Sequence, residues 1–247
     1  MHAMLTRPLA TAAVLACVGV LAACGSENDE TASDTPTESS QSPESSGSSE
    51  SGDTGSFSPS AEGECSYMED GNPAKDVELP PADPTVEGEV EVTMATSIGD
   101  LSATLDASST PCTVGSFVSL AEQGYFADTT CHRLTTQGIF VLQCGDPTAT
   151  GTGGPGYTIP DELSGEESYP AGTLAMAKTP YPDSGGSQFF IVYEDTPLPP
   201  QYTVFGSVDA AGVEAVAEAA EAGSDDSNGP GDGSPKTAVD IEGVTVG

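Results

Sequence analysis

The sequence has no tryptophan and only five lysine and arginine residues against 39 aspartate and glutamate, a net charge of −34 over 247 residues. So few cations in so negative a chain exclude a surface that tracks phosphates, and no nucleic acid is expected as a partner. Past the first two dozen residues there is no apolar run long enough to span a membrane, and no internal repeat. The acidity itself reads as solvation, and it also suits a salt-adapted surface. What is present is 36% hydrophobic residues, 29 glycines and 20 prolines, with polar and apolar residues segregated along the chain rather than mixed. The length allows one or two domains.

Residues 1–23 carry one basic residue, Arg7, then an apolar stretch from Leu9 to Leu21, and lead into Leu21-Ala22-Ala23-Cys24. A short apolar segment ending in small residues is a secretory leader rather than a spanning helix. The last four residues resemble a bacterial lipobox, which implies lipidation at Cys24 and a lipid anchor on the extracytoplasmic face of a bacterial plasma membrane. The rival is an ordinary leader that happens to contain cysteine. Residues 24–63 follow as a Ser-, Thr- and Glu-rich tether in which Phe57 is the one large apolar residue. Such a composition cannot offset its ordering entropy, so disorder is expected, with a glycosylated stalk as the alternative.

Residues 64–88 contain Pro73, Pro80, Pro81 and Pro84 and read as an extended strap, ahead of a domain over 89–247. Val90, Val92 and Met94 alternate with polar residues, as do Leu101, Ala103 and Leu105 beyond a turn at Ile98-Gly99-Asp100, which predicts a hairpin with one buried face. Thr110-Pro111 offers an N-cap and a first-turn proline, Val114, Phe117, Val118 and Ala121 form a helical stripe, and Gly124 suits a left-handed cap. Short strands are expected at 129–134, 139–144, 172–177, 188–192, 202–208 and 237–246. A second helix fits 210–222, with Val213, Val216, Ala217 and Ala220 inward. The expected fold class is mainly β, a closed barrel with two α-helices capping its ends.

With the leader removed, the basic residues are Lys75, Arg133, Lys178 and Lys236, so Arg133 is the sole arginine. It is either one half of a structural ion pair or a functional donor. Its neighbours carry a pattern: Cys131-His132-Arg133-Leu134, then Phe140-Val141-Leu142-Gln143-Cys144-Gly145-Asp146, then Gly151-Thr152-Gly153-Gly154. Leu174-Ala175-Met176-Ala177, Gly186-Ser187-Gln188-Phe189-Phe190-Ile191 and Thr203-Val204-Phe205-Gly206 continue it. In this order the segments resemble the signature of cyclophilins, from about residue 89 to the C-terminus. The resemblance implies an eight-stranded antiparallel barrel and peptidyl-prolyl cis–trans isomerase activity without cofactor or metal. It implies that Arg133 is the catalytic donor and that Phe140, Val141, Phe190 and Leu198 line a proline pocket. By the same resemblance Gln143 and Gln188 are its polar groups, Ala177 and Lys178 a peptide-contacting edge, and Tyr202 a rim residue.

Local departures bear on substrate preference: Pro197 where the family usually has tryptophan, Tyr202 where many members have histidine, Lys178-Thr179 in the contact edge, and two extra residues between Arg133 and Phe140. Phe117, Phe189 and Phe205 read as core, and His132 as a satisfied histidine facing away from Arg133, since neighbours on a strand alternate.

Cys65, Cys112, Cys131 and Cys144 are expected to form two disulfides in an oxidising compartment, in one of three pairings. By the resemblance, Arg133 and Gln143 share the active face, which puts Cys131 outward and Cys144 inward and disfavours a 131–144 bridge. A zinc site using Cys131 and His132 fails on the same alternation. The acidic stretch 225–232 faintly resembles a calcium loop but lacks its terminal glutamate spacing, and reads as a plain loop. The whole reads as an isomerase acting on proline-containing segments of exported proteins. A catalytically weak, cyclophilin-like peptide-binding module is the alternative, and a two-lobed solute-binding lipoprotein is disfavoured by the absence of βαβ alternation.

Overall fold

Four prolines keep most of the strap out of regular structure, and its only strand is β1 (Met68–Glu69). The computed structural model describes residues 65–247; the leader, Cys24 and the tether lie outside the described residues. Cys65 is bonded to Cys112, and Lys75 donates from Nζ to the carbonyl oxygens of Gly124 (2.6 Å) and Tyr125 (3.3 Å). The strap is thus fastened at both ends of the first helix.

Alternation then produces the predicted hairpin. Strands β2 (Glu89–Thr96) and β3 (Gly99–Asp106) pair along their full length, with Val90, Val92, Met94, Leu101, Ala103 and Leu105 buried. The turn lies at Ser97-Ile98, one position earlier than expected, and Gly99, with φ of 116°, opens β3. Helix α1 (Pro111–Glu122) begins at its proline and ends before Gly124 at φ 68°. Thr110 does not cap it: its hydroxyl donates to the Asp106 carbonyl, and the Glu162 carboxylate accepts from the amides of Cys112 (2.9 Å) and Thr113 (2.8 Å) instead. Burial raises the Glu162 pKa despite these bonds.

The remaining elements are β4 (Thr129–Thr130), β5 (Arg133–Thr135), β6 (Val141–Cys144), β7 (Tyr157–Thr158), β8 (Thr173–Met176), β9 (Phe189–Val192), β10 (Val204–Val208), α2 (Ala210–Ala220), β11 (Asp232–Gly233) and β12 (Asp240–Val246). Ten strands form one antiparallel sheet in the order β11-β5-β6-β9-β8-β10-β3-β2-β12-β4, and β1 pairs separately with β7. The expectation of a closed eight-stranded barrel is therefore corrected to an open, ten-stranded half-barrel with β11 and β4 as its edges. The cause is local. The segment expected as one strand, 129–134, is interrupted at Cys131 and His132, whose amides turn to different partners: Val239 O at 2.8 Å and Gln143 O at 3.1 Å. The first half, β4, is consequently one edge of the sheet, while the second, β5, lies next to the other edge between β11 and β6, and no ladder joins them.

The same interruption overturns the disulfide expectation, because the bonds are Cys65–Cys112 and Cys131–Cys144. Arg133 pairs with Gln143, and the His132 amide also donates to the Gln143 carbonyl, so two residues face one. That bulge cancels the alternation between Arg133 and Cys131 and places Cys131 beside Cys144, with Cα atoms 4.0 Å apart. Both cysteines are buried in the core.

Inside the half-barrel Phe117 contacts Phe126, Phe189 and Phe205 at ring-centre distances of 4.9, 5.6 and 5.5 Å, as core aromatics should. On α2, Val216 and Ala220 are buried as expected, whereas Ala219 rather than Ala217 completes the buried face.

Candidate active site

One row of paired residues builds the site. Arg133 on β5 lies opposite Gln143 on β6, Gln143 opposite Phe190 on β9, and Phe190 opposite Ala175 on β8. Directly opposed residues share a face of the sheet, so a guanidinium, an amide, an aromatic ring and a methyl follow one another across its outer side. Val141, two positions from Gln143, adds to that face opposite Val192. Val141, Tyr169, Ala175, Phe190 and Val192 form an apolar cluster distinct from the main core, with Ile139, Ala177, Leu198, Tyr202 and Val204 packed at its border. Tyr202 meets Phe190 edge-on at 5.4 Å, and the Tyr169 hydroxyl fixes the Tyr202 backbone, accepting from its amide (3.0 Å) and donating to its carbonyl (3.1 Å).

A polar chain runs beside this pad. Arg133 Nη1 points at Gln143 Oε1 (3.4 Å), Gln143 Nε2 donates to Gln188 Oε1 (2.9 Å), and Gln188 Nε2 donates to Gly153 O (2.9 Å). The loop carrying Gly153 is organised by Asp146, which is fully buried. Its carboxylate accepts from the amides of Thr148 (2.7 Å), Thr150 (3.2 Å), Gly151 (2.7 Å) and Gly153 (3.0 Å) and from the Thr148 hydroxyl (2.7 Å). Burial alone would raise its pKa, but these donors overcome it and hold the carboxyl below its ordinary range. A Cβ at residue 153 would collide with that carboxylate, so the position requires glycine.

Most of the expected site residues converge. Arg133, Val141, Gln143, Ala177, Gln188, Phe190, Leu198 and Tyr202 all lie along the pad or its polar border. Phe140 does not join the apolar cluster; its ring stands against Tyr193 at 6.0 Å, and Ile139 packs at the border instead. Lys178 lines the neighbouring groove, yet its ammonium is paired with Asp161 at 2.5 Å and its side chain is only 10% exposed. It offers the groove little free charge. That groove, about 570 Å³, runs from Gln143, Gln188 and Ala177 to Asp70 and Asn72 of the strap.

His132 is not the satisfied histidine expected. Both ring nitrogens are buried without a hydrogen-bond partner among the described residues, and burial lowers its pKa. The bulge also lets it line one small cavity together with Arg133 and Gln143.

Asp232 was legible only as part of an acidic loop, and it lies at the site. Its carboxylate accepts from Arg133 Nε (2.8 Å) and Nη2 (2.6 Å). Arg133 holds the Asp232 pKa below the ordinary carboxylate range, and Asp232 raises that of Arg133. Of the two readings of this arginine, the ion pair is present on one edge of the fork, and the other edge, facing Gln143, is not taken up by Asp232. A fixed donor beside an aromatic, aliphatic pad can seat a small apolar ring and present N–H groups to a polar atom at its edge.

Residues 91–246 match the family described as cyclophilin type peptidyl-prolyl cis-trans isomerase/CLD. The chain is 45% identical over 208 residues to the probable peptidyl-prolyl cis-trans isomerase B of Mycobacterium tuberculosis, covering 77% of this chain and 67% of that protein. It is 49% identical over 100 residues to peptidyl-prolyl cis-trans isomerase B of Bacillus subtilis, covering 40% of this chain and 68% of that protein. Among solved structures, a cyclophilin type peptidyl-prolyl cis-trans isomerase of Cryptosporidium parvum is similar with a TM-score of 0.57 and 31% identity, over 64% of this chain and 98% of that one.

Proposed function

The chain belongs to the cyclophilin-type peptidyl-prolyl cis–trans isomerase family and isomerises X–Pro bonds, and we propose that it does so for exported proteins outside the plasma membrane, with Arg133 as the catalytic donor. The amide barrier of about 18–20 kcal/mol arises because nitrogen shares its lone pair with the carbonyl. For X–Pro the isomers are close in energy but exchange in tens to hundreds of seconds, so a catalyst has only to stabilise the twisted state.

In that state the prolyl nitrogen regains a localised lone pair. The pad of Val141, Phe190, Leu198 and Tyr202 takes the proline ring and shields it from water. The open edge of Arg133 then donates to the nitrogen, a bond available only once conjugation is lost, so the guanidinium favours the transition state over either ground state. Gln143, itself held by Gln188, keeps that edge in register. The single observation that carries this reading is the cross-strand row Arg133–Gln143–Phe190, which sets the guanidinium against the apolar pad.

The export role rests on the lipobox-like Leu21-Ala22-Ala23-Cys24 and on two disulfides, which suit an oxidising compartment. In a protease-coupled assay on a proline tetrapeptide, the purified chain should accelerate the slow phase in proportion to its concentration. The same assay on a disulfide-containing exported protein should show faster refolding. No acceleration of either would overturn the proposal.

A further inference from the structure

The bidentate contact between Asp232 and Arg133 has a consequence for the reaction. Edge strand β11 sets Asp232 opposite Thr135 and Gly233 opposite Leu134. From there the Asp232 side chain reaches two residues along β5 to Arg133. Gly233 is needed for this approach, because a Cβ there would run into the Asp225 carboxylate and the Ser227 amide of the same loop. Asn228 Nδ2 also donates to Asp232 Oδ1 (3.2 Å), the oxygen that accepts from Arg133 Nε, and steadies the carboxylate.

A guanidinium is a planar fork whose Nε–H and one Nη2–H share an edge. Asp232 occupies that edge, leaving both Nη1 protons and the outer Nη2 proton clear of it, with Nη1 3.4 Å from Gln143 Oε1. The pair is partly exposed, 34% for Arg133 and 26% for Asp232, so solvent screens its attraction and its worth to stability is small. Its effect is orientational, since two parallel bonds remove the rotations that a long side chain would otherwise sample.

We infer that Asp232 is a positioning residue for isomerisation, clamping one edge of the Arg133 guanidinium so that the other faces the bound proline. The inference rests on the catalytic role proposed for Arg133. If Asp232 instead competed with substrate for the guanidinium, its removal would raise activity; the geometry argues against this, because the occupied edge is the one turned away from Gln143.

The test measures kcat and KM separately for the wild type, Asp232→Ala, Asp232→Asn and Asp232→Glu, with circular dichroism to check the fold. The pad is untouched, so KM should stay within about twofold while kcat falls roughly tenfold in Asp232→Ala, in keeping with the sensitivity of rate to misplacement. Asp232→Asn, isosteric and limited to one acceptor, should fall between; Asp232→Glu, which restores the carboxylate on a longer stem, should recover part of the loss. The Arg133 Nε–H resonance gives an independent readout, since the chain has just one other arginine, Arg7. It should be sharp and displaced in the wild type and collapse toward the free-arginine position in Asp232→Ala. Unchanged or raised kcat in a folded Asp232→Ala, beside an inactive Arg133→Ala, would overturn this inference alone. Near-normal activity of Arg133→Ala would overturn both it and the mechanism it rests on.

Discussion

Arg133 is the one guanidinium among the described residues, so no other side chain there can supply the same planar donor. Its side chain is 34% exposed and on the outer face of the sheet, so Arg133→Ala leaves no core cavity. The expected result is a fall in kcat/KM of about 10²–10³, the usual cost of losing a preorganised donor, with an unchanged circular dichroism spectrum. Arg133→Lys should recover little, because a point-charge ammonium cannot bridge Asp232 bidentately and still donate from a second edge. A folded alanine variant with near-normal kcat/KM would remove arginine from the mechanism. Asp146 tests the other end of the polar chain. Its pKa is lowered in the fold, so its carboxylate stabilises the protein above the ordinary carboxylate range, and that contribution is lost as pH falls through the folded value. Asp146→Asn sets an NH₂ group among N–H donors and should cost about 2–3 kcal/mol at neutral pH. Urea denaturation should show the gap from wild type narrowing as the solution is acidified into and below the carboxylate range. A gap that stays constant with pH would mean that the charge of Asp146 is not what holds the glycine loop.

Elements whose pattern is self-contained were legible in the sequence, and those fixed by distant partners were not. The β2–β3 hairpin follows from alternation within its own residues, and α1 from its stripe, its proline and Gly124. By contrast the cap on α1 comes from Glu162, 50 residues away from Cys112, and the Asp232 contact spans 99 residues, so no local pattern announces either. Two-residue strands such as β1, β7 and β11 are too short to show a period at all. The bulge at His132-Arg133 did most to mislead, since counting by twos across it inverted Cys131 and hid the second disulfide. The residues of the pad were legible through resemblance because they keep family order, whereas the packing of the Phe140 ring on Tyr193 was not. The disulfides make the element-scale prediction. Cys65–Cys112 spans 47 residues and Cys131–Cys144 spans 13. Loop entropy assigns them upper limits of about 4 and about 3 kcal/mol, the longer loop contributing more. Cys65→Ser with Cys112→Ser should therefore lower stability by roughly 2–4 kcal/mol while activity on a short peptide persists, because the strap holds no residue of the Arg133 chain. Cys131→Ser with Cys144→Ser should lower both, since it loosens the bulge beside Arg133 and Gln143. Denaturation and peptide assays on the two double variants decide the matter, and equal activity losses would contradict this division.

At the scale of the whole molecule the acidic charge, the pair of disulfides and the N-terminal sequence bear on one question, where the isomerase works. Residues 65–247 hold 29 aspartate and glutamate residues against four lysine and arginine, a charge that repels anionic lipid headgroups, so the described domain has no electrostatic reason to reside on a membrane. Among the described residues no helix is long and apolar enough to cross one. Membrane attachment, on the proposed reading, therefore depends on Cys24 and its lipid. A single acyl chain binds a bilayer marginally, whereas two or more hold it stably, so the proposal requires a fully lipidated cysteine rather than one weak anchor. Cys24→Ser should move the protein from the membrane fraction to the soluble extracytoplasmic fraction and abolish incorporation of labelled fatty acid, with kcat/KM on a soluble peptide unchanged. If the serine variant still sediments with membranes at high salt, something other than lipid at Cys24 holds it there, and the anchored placement fails even though the isomerase chemistry of the domain stands.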